Sequence, residues 1–378
     1  MLSSTRLARR VLAVVSVFAM VFGGLVVGAT AATAKTKHPK AKKVSTAIEN
    51  PGSATLTETG STLLYPLWNI WAPAYNKKYP SVSITTAGTG SGTGISDATN
   101  GTVDIGSSDA YLPPSDVQQT PSLENIPLAI SVQVIAYNLP GITAHLNLSG
   151  KVLSEIYQGK ITSWNDPAIV AANPKVTLPN IPIVALHRSD GSGDTFIFTT
   201  YLSDSDPNGW GKSVGYSTSV TWPTTPGALA ELGNGGMVSG CKATTGCIAY
   251  VGISYLSQLL GDGLTYAALL DGKHQYVLPT SANVAAEAKY YLKKTPADGT
   301  ISLIDGPVKN GYPIINYEYA IVNAKQSSAS TAKAIRSLLE WAVNPKFGNS
   351  SQYLSQVSFQ PLPPKLLDAS LKQIHKIK

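Results

Sequence analysis

The chain is 378 residues long, 43% hydrophobic and 13% charged. That balance excludes a disordered polymer, allows a sizeable core, and at this length suits two domains. The formal charge of +7 belongs to the N-terminus: Arg6, Arg9, Arg10, Lys35, Lys37, Lys40, Lys42 and Lys43 supply eight positives with no acid among them, and without those eight the body stands at −1, which excludes a dedicated nucleic-acid surface.

The basic start is followed by an uncharged stretch from Val11 to Ala34 that ends in Ala29-Thr30-Ala31-Ala32-Thr33-Ala34. Residues 1–34 therefore read as an export signal with A-x-A cleavage sites. The stretch also has the length of an uncleaved anchor, and it offers no cysteine for lipid attachment. The protein is expected to be exported and extracytoplasmic, at the cell surface or in a periplasm-like space, either released or tethered by that segment. Residues 35–55 read as a Lys-rich linker, with order beginning near Leu56.

Leu64, Leu67, Trp68, Trp71 and Tyr75 fall on one face of a helix that should stop before Pro80. Val82, Ile84 and Thr86 alternate as a strand, and Val103-Asp104-Ile105-Gly106 reads as a second short one. Ile126 to Tyr137 and Ile181 to Leu186 are apolar runs suited to buried strands. Ala285 to Lys293 reads as a helix, as does Ala332 to Val343, whose Ile335, Leu338, Leu339 and Ala342 line one face. This alternation predicts an α/β fold with mainly parallel pairing. The six tryptophans are expected in the core or at its rim. Cys241 and Cys247 lie close together, and in an exported chain they predict a local disulfide contributing about 2 kcal/mol. No histidine or further cysteine stands near them for zinc, so no metal and no cofactor is expected.

Three turns share one chemistry. They are Thr59-Gly60-Ser61-Thr62-Leu63-Leu64, Gly88-Thr89-Gly90-Ser91-Gly92-Thr93-Gly94 and Arg188-Ser189-Asp190-Gly191-Ser192-Gly193-Asp194-Thr195. Each sets small hydroxyl residues and glycines at a helix start, where unpaired N–H groups and the helix dipole favour an anion. Any one alone is ordinary helix capping; three in one chain point to an oxyanion. None fits a dinucleotide or P-loop motif, and neither Ser91 nor Ser192 sits in G-x-S-x-G.

These turns, with Ser107-Ser108-Asp109-Ala110, Pro313-Ile314-Ile315-Asn316-Tyr317-Glu318-Tyr319 and Phe359-Gln360-Pro361-Leu362-Pro363, resemble the phosphate-binding proteins of phosphate-specific ABC transporters, most closely the mycobacterial and actinobacterial branch. The resemblance covers nearly all of residues 56–365. It implies a two-domain periplasmic-binding-protein (type II) fold with the ligand in a cleft between domains joined by crossover strands: 56–132 plus 314–378 as domain I and 133–313 as domain II. It implies inorganic phosphate and a membrane permease as partners, a monomer, and no catalysis. Carried over by position, the Thr62 hydroxyl and Leu63 N–H, Ser91, the acceptor Asp109, Arg188, Ser192, and the Gly193 and Asp194 backbone would hold phosphate. The N-terminus departs from a branch that often carries a lipid-anchoring cysteine.

Phosphate near neutral pH always offers at least one proton, which a buried Asp109 carboxylate accepts. Sulfate offers none and would meet Asp109 as an unpaired like charge, a mismatch that can cost ~10^4–10^5-fold. Asp194 admits two readings: a second proton acceptor favouring H2PO4−, or a cap for a helix opening at Thr195. Three rival functions remain at this stage: a receptor for another tetrahedral oxyanion such as sulfate, a secreted phosphatase or serine hydrolase using Ser91 or Ser192 with His187, and a surface adhesin with a vestigial site.

Overall fold

A computed structural model describes residues 48–378; the export signal and the linker up to residue 47 lie outside the described residues. Thirteen strands are described: β1 Ala54–Gly60, β2 Val82–Gly88, β3 Ile105–Ser108, β4 Leu123–Tyr137, β5 Asn147–Leu148, β6 Val184–Arg188, β7 Leu229–Glu231, β8 Cys247–Gly252, β9 Thr265–Tyr266, β10 Ala268–Leu270, β11 Tyr276–Val277, β12 Leu303–Ile304 and β13 Ile314–Asn323. The large sheet runs β2-β1-β3-β13-β4-β8-β6-β7, with β12 on β13 and β9 on β4, while β11, β10 and β5 form a small sheet.

The expected parallel pairing holds within each half of the large sheet. β1 is parallel to β2 and β3, and β6 is parallel to β7 and β8. The middle is antiparallel, because β4 and β13 pass between the halves in opposite directions. β4 is buried over its whole length. From Leu123 to Val132 it pairs with β13, and from Gln133 to Tyr137 with β8. One continuous buried strand thus belongs to both halves, as expected for an α/β fold with crossover strands.

The first helix, Tyr65–Lys78, buries Leu67, Trp68, Trp71 and Tyr75 on the expected face, and Leu64 becomes its N-cap. Both indole N–H groups find acceptors, Trp68 on Ser107 Oγ at 2.8 Å and Trp71 on the Gly348 carbonyl at 2.9 Å, so these large side chains are buried without an orphaned donor. Trp164, Trp210 and Trp341 are also buried, and Trp222 is half-buried.

Some boundaries move. β3 begins at Ile105 rather than Val103, after Asp104 has accepted from the Thr57 N–H (2.7 Å) and hydroxyl (3.0 Å). β6 begins at Val184 rather than Ile181, since Pro182 has no N–H for the ladder. The last long helix, Ala329–Val343, starts on Ser328, whose side chain accepts from Thr331 N–H; its polar first turn carries no apolar signal. Ordered contacts begin before Leu56: the Glu49 N–H donates to Glu340 Oε2 at 2.8 Å, and Arg336 Nη2 lies 2.8 Å from Glu49 Oε2. Cys241, in the helix Gly233–Ala243, is disulfide-bonded to Cys247 at the start of β8. Among the described residues no helix is long and apolar enough to cross a membrane.

Candidate anion-binding site

The carboxyl ends of β1 and β3 lie side by side in the first half of the sheet, and β6 ends in the second half. β1 and β6 each feed one of the predicted turns, the second turn follows β2, and β3 leads into Asp109. Gly60 closes β1 at φ +140°, where a Cβ would sit 2.1 Å from the Ser107 carbonyl oxygen, so only glycine fits. Its carbonyl accepts from the N–H groups of Thr89 (2.9 Å) and Gly90 (2.7 Å), and the Ser61 N–H donates to Ser107 O at 2.9 Å. The first two turns and the end of β3 are thereby locked together.

Asp109, one residue past β3, sits at the centre. Ser61 Oγ donates to its Oδ1, Ser91 Oγ to its Oδ2 at 3.2 Å, and its own N–H donates to Ser91 Oγ at 3.2 Å. Opposite stands the helix Gly193–Ser205, capped by Ser192, whose Oγ accepts from the Thr195 N–H at 3.2 Å. Gly193 approaches so closely that a Cβ there would lie 2.6 Å from Asp109 Cβ, Asp109 Oδ2 and Ser91 Oγ. As the first two residues of this helix, Gly193 and Asp194 present N–H groups with no intrahelical acceptor. The helix opens two residues earlier than Thr195, so Asp194 is not its cap.

The Asp194 side chain turns instead to Arg188. Its Oδ2 accepts from Arg188 Nη1 at 3.0 Å and from Asn234 Nδ2 at 2.6 Å, and its Oδ1 accepts from Gln133 Nε2 at 3.1 Å. With three protein donors on it, Asp194 holds the arginine. Arg188 also binds Asp190 in a fork, through Nε at 2.7 Å and through Nη2. Three of its five N–H donors are thus engaged and two remain. Asn234 links this side to the first turn: its N–H and Nδ2 donate to Thr62 Oγ1 at 3.2 and 3.0 Å. The Thr62 oxygen is filled, and its own proton is left to donate. Leu63 follows, with its carbonyl accepting from Ser254 Oγ at 2.7 Å.

All eight predicted residues are therefore buried in one cluster, and the halves of the sheet meet beside it, where the Gly92 N–H donates to Gly191 O at 2.8 Å. A cavity of 790 Å³, lined among others by Gly92, Tyr111, Phe196 and Thr218, opens alongside. Burial and the Asp109 charge push the Asp194 carboxyl up to about 7. Burial raises Asp109 too, against the lowering contacts of Glu318, Ser61, Arg188 and Ser91. Burial works against the Arg188 charge, yet the Asp190 and Asp194 carboxylates more than offset it and hold the guanidinium above its usual range. Arg188 is already matched by acids, so the site offers an anion directed donors rather than net positive charge.

Ser61, Gln133, Asn234 and Glu318 are the residues that sequence reading left out of the site. Gln133 and Glu318 carried a signal, as polar residues inside apolar buried runs. His187 stacks on Trp222 at 4.9 Å, and its Nδ1 lies 3.2 Å from the Arg188 carbonyl. Among the described residues no cluster of His, Cys, Asp or Glu is arranged to hold a metal ion.

A sequence-family model of a PBP superfamily domain matches residues 45–346. The chain is 33% identical over 320 residues to the phosphate-binding protein PstS of Xylella fastidiosa, covering 84% of each. It is 30% identical to the phosphate-binding protein PstS 2 of Mycobacterium tuberculosis, covering 90% of this chain and 92% of that one. In structure it is similar to a periplasmic phosphate-binding protein with phosphate bound, at a TM-score of 0.66 and 20% identity, over 83% of this chain and 92% of the other.

Proposed function

This chain belongs to the PBP superfamily, among its phosphate-binding proteins, and on that premise we propose that it captures inorganic phosphate outside the cytoplasmic membrane and delivers it to the permease of an ABC uptake transporter. One observation carries the choice of phosphate: a fully buried carboxylate, Asp109, stands amid hydroxyl and backbone donors. Such an acceptor rewards an anion that keeps a proton and penalises one that has none.

In this reading Thr62 donates its free hydroxyl proton, and the Leu63, Gly193 and Asp194 N–H groups converge from two helix starts. Ser192 contributes its hydroxyl and Arg188 its two remaining N–H groups, while Ser91 lines the site with its proton on Asp109. Domain I is 56–132 with 314–378 and domain II is 133–313; the change of partner along β4 between Val132 and Gln133 supports that division. The two domains close over the anion and exclude water. The protein works as a monomer and performs no chemistry on its ligand.

Native mass spectrometry of the secreted protein, with and without added phosphate, tests the reading. One phosphate per chain and no turnover of a chromogenic phosphoester are expected. Turnover, or a chain that takes up no phosphate, would overturn it.

A further inference from the structure

Across the strand pair from Asp109 lies a second acid. β3 and β13 pair with Ser107 opposite Ala320 and Ser108 opposite Tyr319. The next residue along, Asp109, therefore falls opposite Glu318. β13 shifts register against β4 between Glu318 and Tyr319, the kind of irregularity that re-aims a side chain beside a functional site.

Glu318 has no exposure to solvent. Its Oε1 accepts from Ser131 Oγ and from Asn316 Nδ2 at 3.0 Å, and the same Asn316 Nδ2 lies 3.4 Å from the Asp109 carbonyl. Its Oε2 receives no donor at all. The strand register sets that carboxyl against Asp109, whose charge acts on it. Two buried carboxyls facing each other in this way cannot both be charged, so the pair keeps a proton. It belongs on Glu318, because Asp109 has the Ser61 and Ser91 hydroxyls to support its charge and Glu318 Oε2 has nothing else.

We propose that Glu318 is a positioning residue for phosphate capture: it holds one proton against Asp109, which keeps Asp109 an oriented, anionic acceptor and sets the alkaline limit of binding. The inference rests on the phosphate reading above. The other ionisable groups around the pair are Arg188, which favours the Asp109 charge, Asp194 across the site, and Tyr319 next to Glu318. Burial and the Asp109 charge hold the Glu318 carboxyl well above its ordinary range. An arriving phosphate adds negative charge and strengthens that hold. Between the pH at which the free protein loses this proton and the higher pH at which the complex does, binding takes up one proton, and affinity falls up to about tenfold per pH unit.

The test is phosphate calorimetry on the full chain from about pH 6 to 10, in buffers of different ionisation enthalpy, for wild type and Glu318→Gln. The amide keeps an N–H toward Asp109 but has no proton to lose. Titration of phosphate itself, and of Asp194, is common to both proteins. Proton uptake at the alkaline end should be greater in wild type by up to about one per site, with the affinity curves diverging by up to about tenfold per pH unit. Parallel curves with equal proton counts would overturn the proposal while leaving the phosphate reading intact. A wild type that binds no phosphate at neutral pH would overturn both. If Glu318→Gln does not fold, carbon NMR of glutamate carboxyls in wild type replaces it: one neutral carboxyl should shift on phosphate addition, and a set of signals that phosphate leaves unmoved would refute the idea.

Discussion

Gly193 is held to its identity by its neighbours. A Cβ at this position would meet Asp109 and Ser91 at 2.6 Å, and neither can retreat without breaking the bonds that orient them. Gly193→Ala should therefore weaken phosphate binding at least about tenfold, since one misplaced donor set costs on the order of 1–3 kcal/mol. The far-ultraviolet circular dichroism should stay unchanged; calorimetry beside that spectrum checks both. A second residue-scale consequence concerns pH. Glu58 is buried, and burial pushes it up to about 8 against the lowering contacts of Ser107 and the Ala87 backbone. Asp194 at about 7 and Glu287 at about 8, both raised mainly by burial, have the same sign. A carboxyl raised in the folded state holds a proton that the unfolded chain has already released. The stability these three groups contribute is therefore fully present below the ordinary carboxylate range and declines as pH rises toward these values, by up to about 1.4 kcal/mol per unit for each group. The melting temperature should fall between about pH 5 and pH 8, and Glu58→Gln should flatten part of that fall; a melting temperature that rises across the interval would contradict it. These acids were hard to foresee. Glycine- and hydroxyl-rich turns announce an anion site in the sequence, whereas a lone Glu in a strand does not reveal which carboxyl it will face.

At the scale of elements, the site depends on where strands end and helices begin. Ser192 shows the dependence: its hydroxyl caps the helix Gly193–Ser205, whose first residue packs against Asp109. The first helix and Ala329–Val343 were legible because one apolar face repeats every three or four residues. β3 and β6 were displaced by two or three residues, because a buried short strand has no polar alternation and its limits are set by Asp104 and Pro182. β13 was visible only as part of a motif, with Asn316 and Glu318 interrupting its apolar run. The disulfide was legible from the cysteine spacing together with the export signal; it ties the end of the helix Gly233–Ala243 to β8, which borders β4 and β6. Replacing both Cys241 and Cys247 with Ser should cost about 2 kcal/mol of stability, read as a lower urea midpoint. Phosphate affinity should hold, since neither cysteine touches the site; an unchanged midpoint would count against a structural role for the bridge.

The whole molecule shows why one sheet serves a capture function. β4 and β13 run unbroken through the middle, parallel units grow outward from them, and the helix starts that end those units converge where the halves meet. Within the site, Asp109 and Ser91 lie on one side and Gly193 with Arg188 on the other, and Asn234 joins Thr62 to Asp194 across it. The α/β class and the crossover arrangement could be read from alternation together with family resemblance. The way Arg188 is balanced by Asp190 and Asp194 could not, because it depends on side chains that meet only after folding. Discrimination between protonated and fully ionised tetrahedral anions is the central claim, and it rests on Asp109. Side-by-side calorimetric titration of the purified protein with phosphate and sulfate at neutral pH tests it most directly. The account predicts saturable phosphate binding at one site per chain, with sulfate weaker by ~10^4-fold or more; equal binding of the two anions, or preference for sulfate, would contradict it.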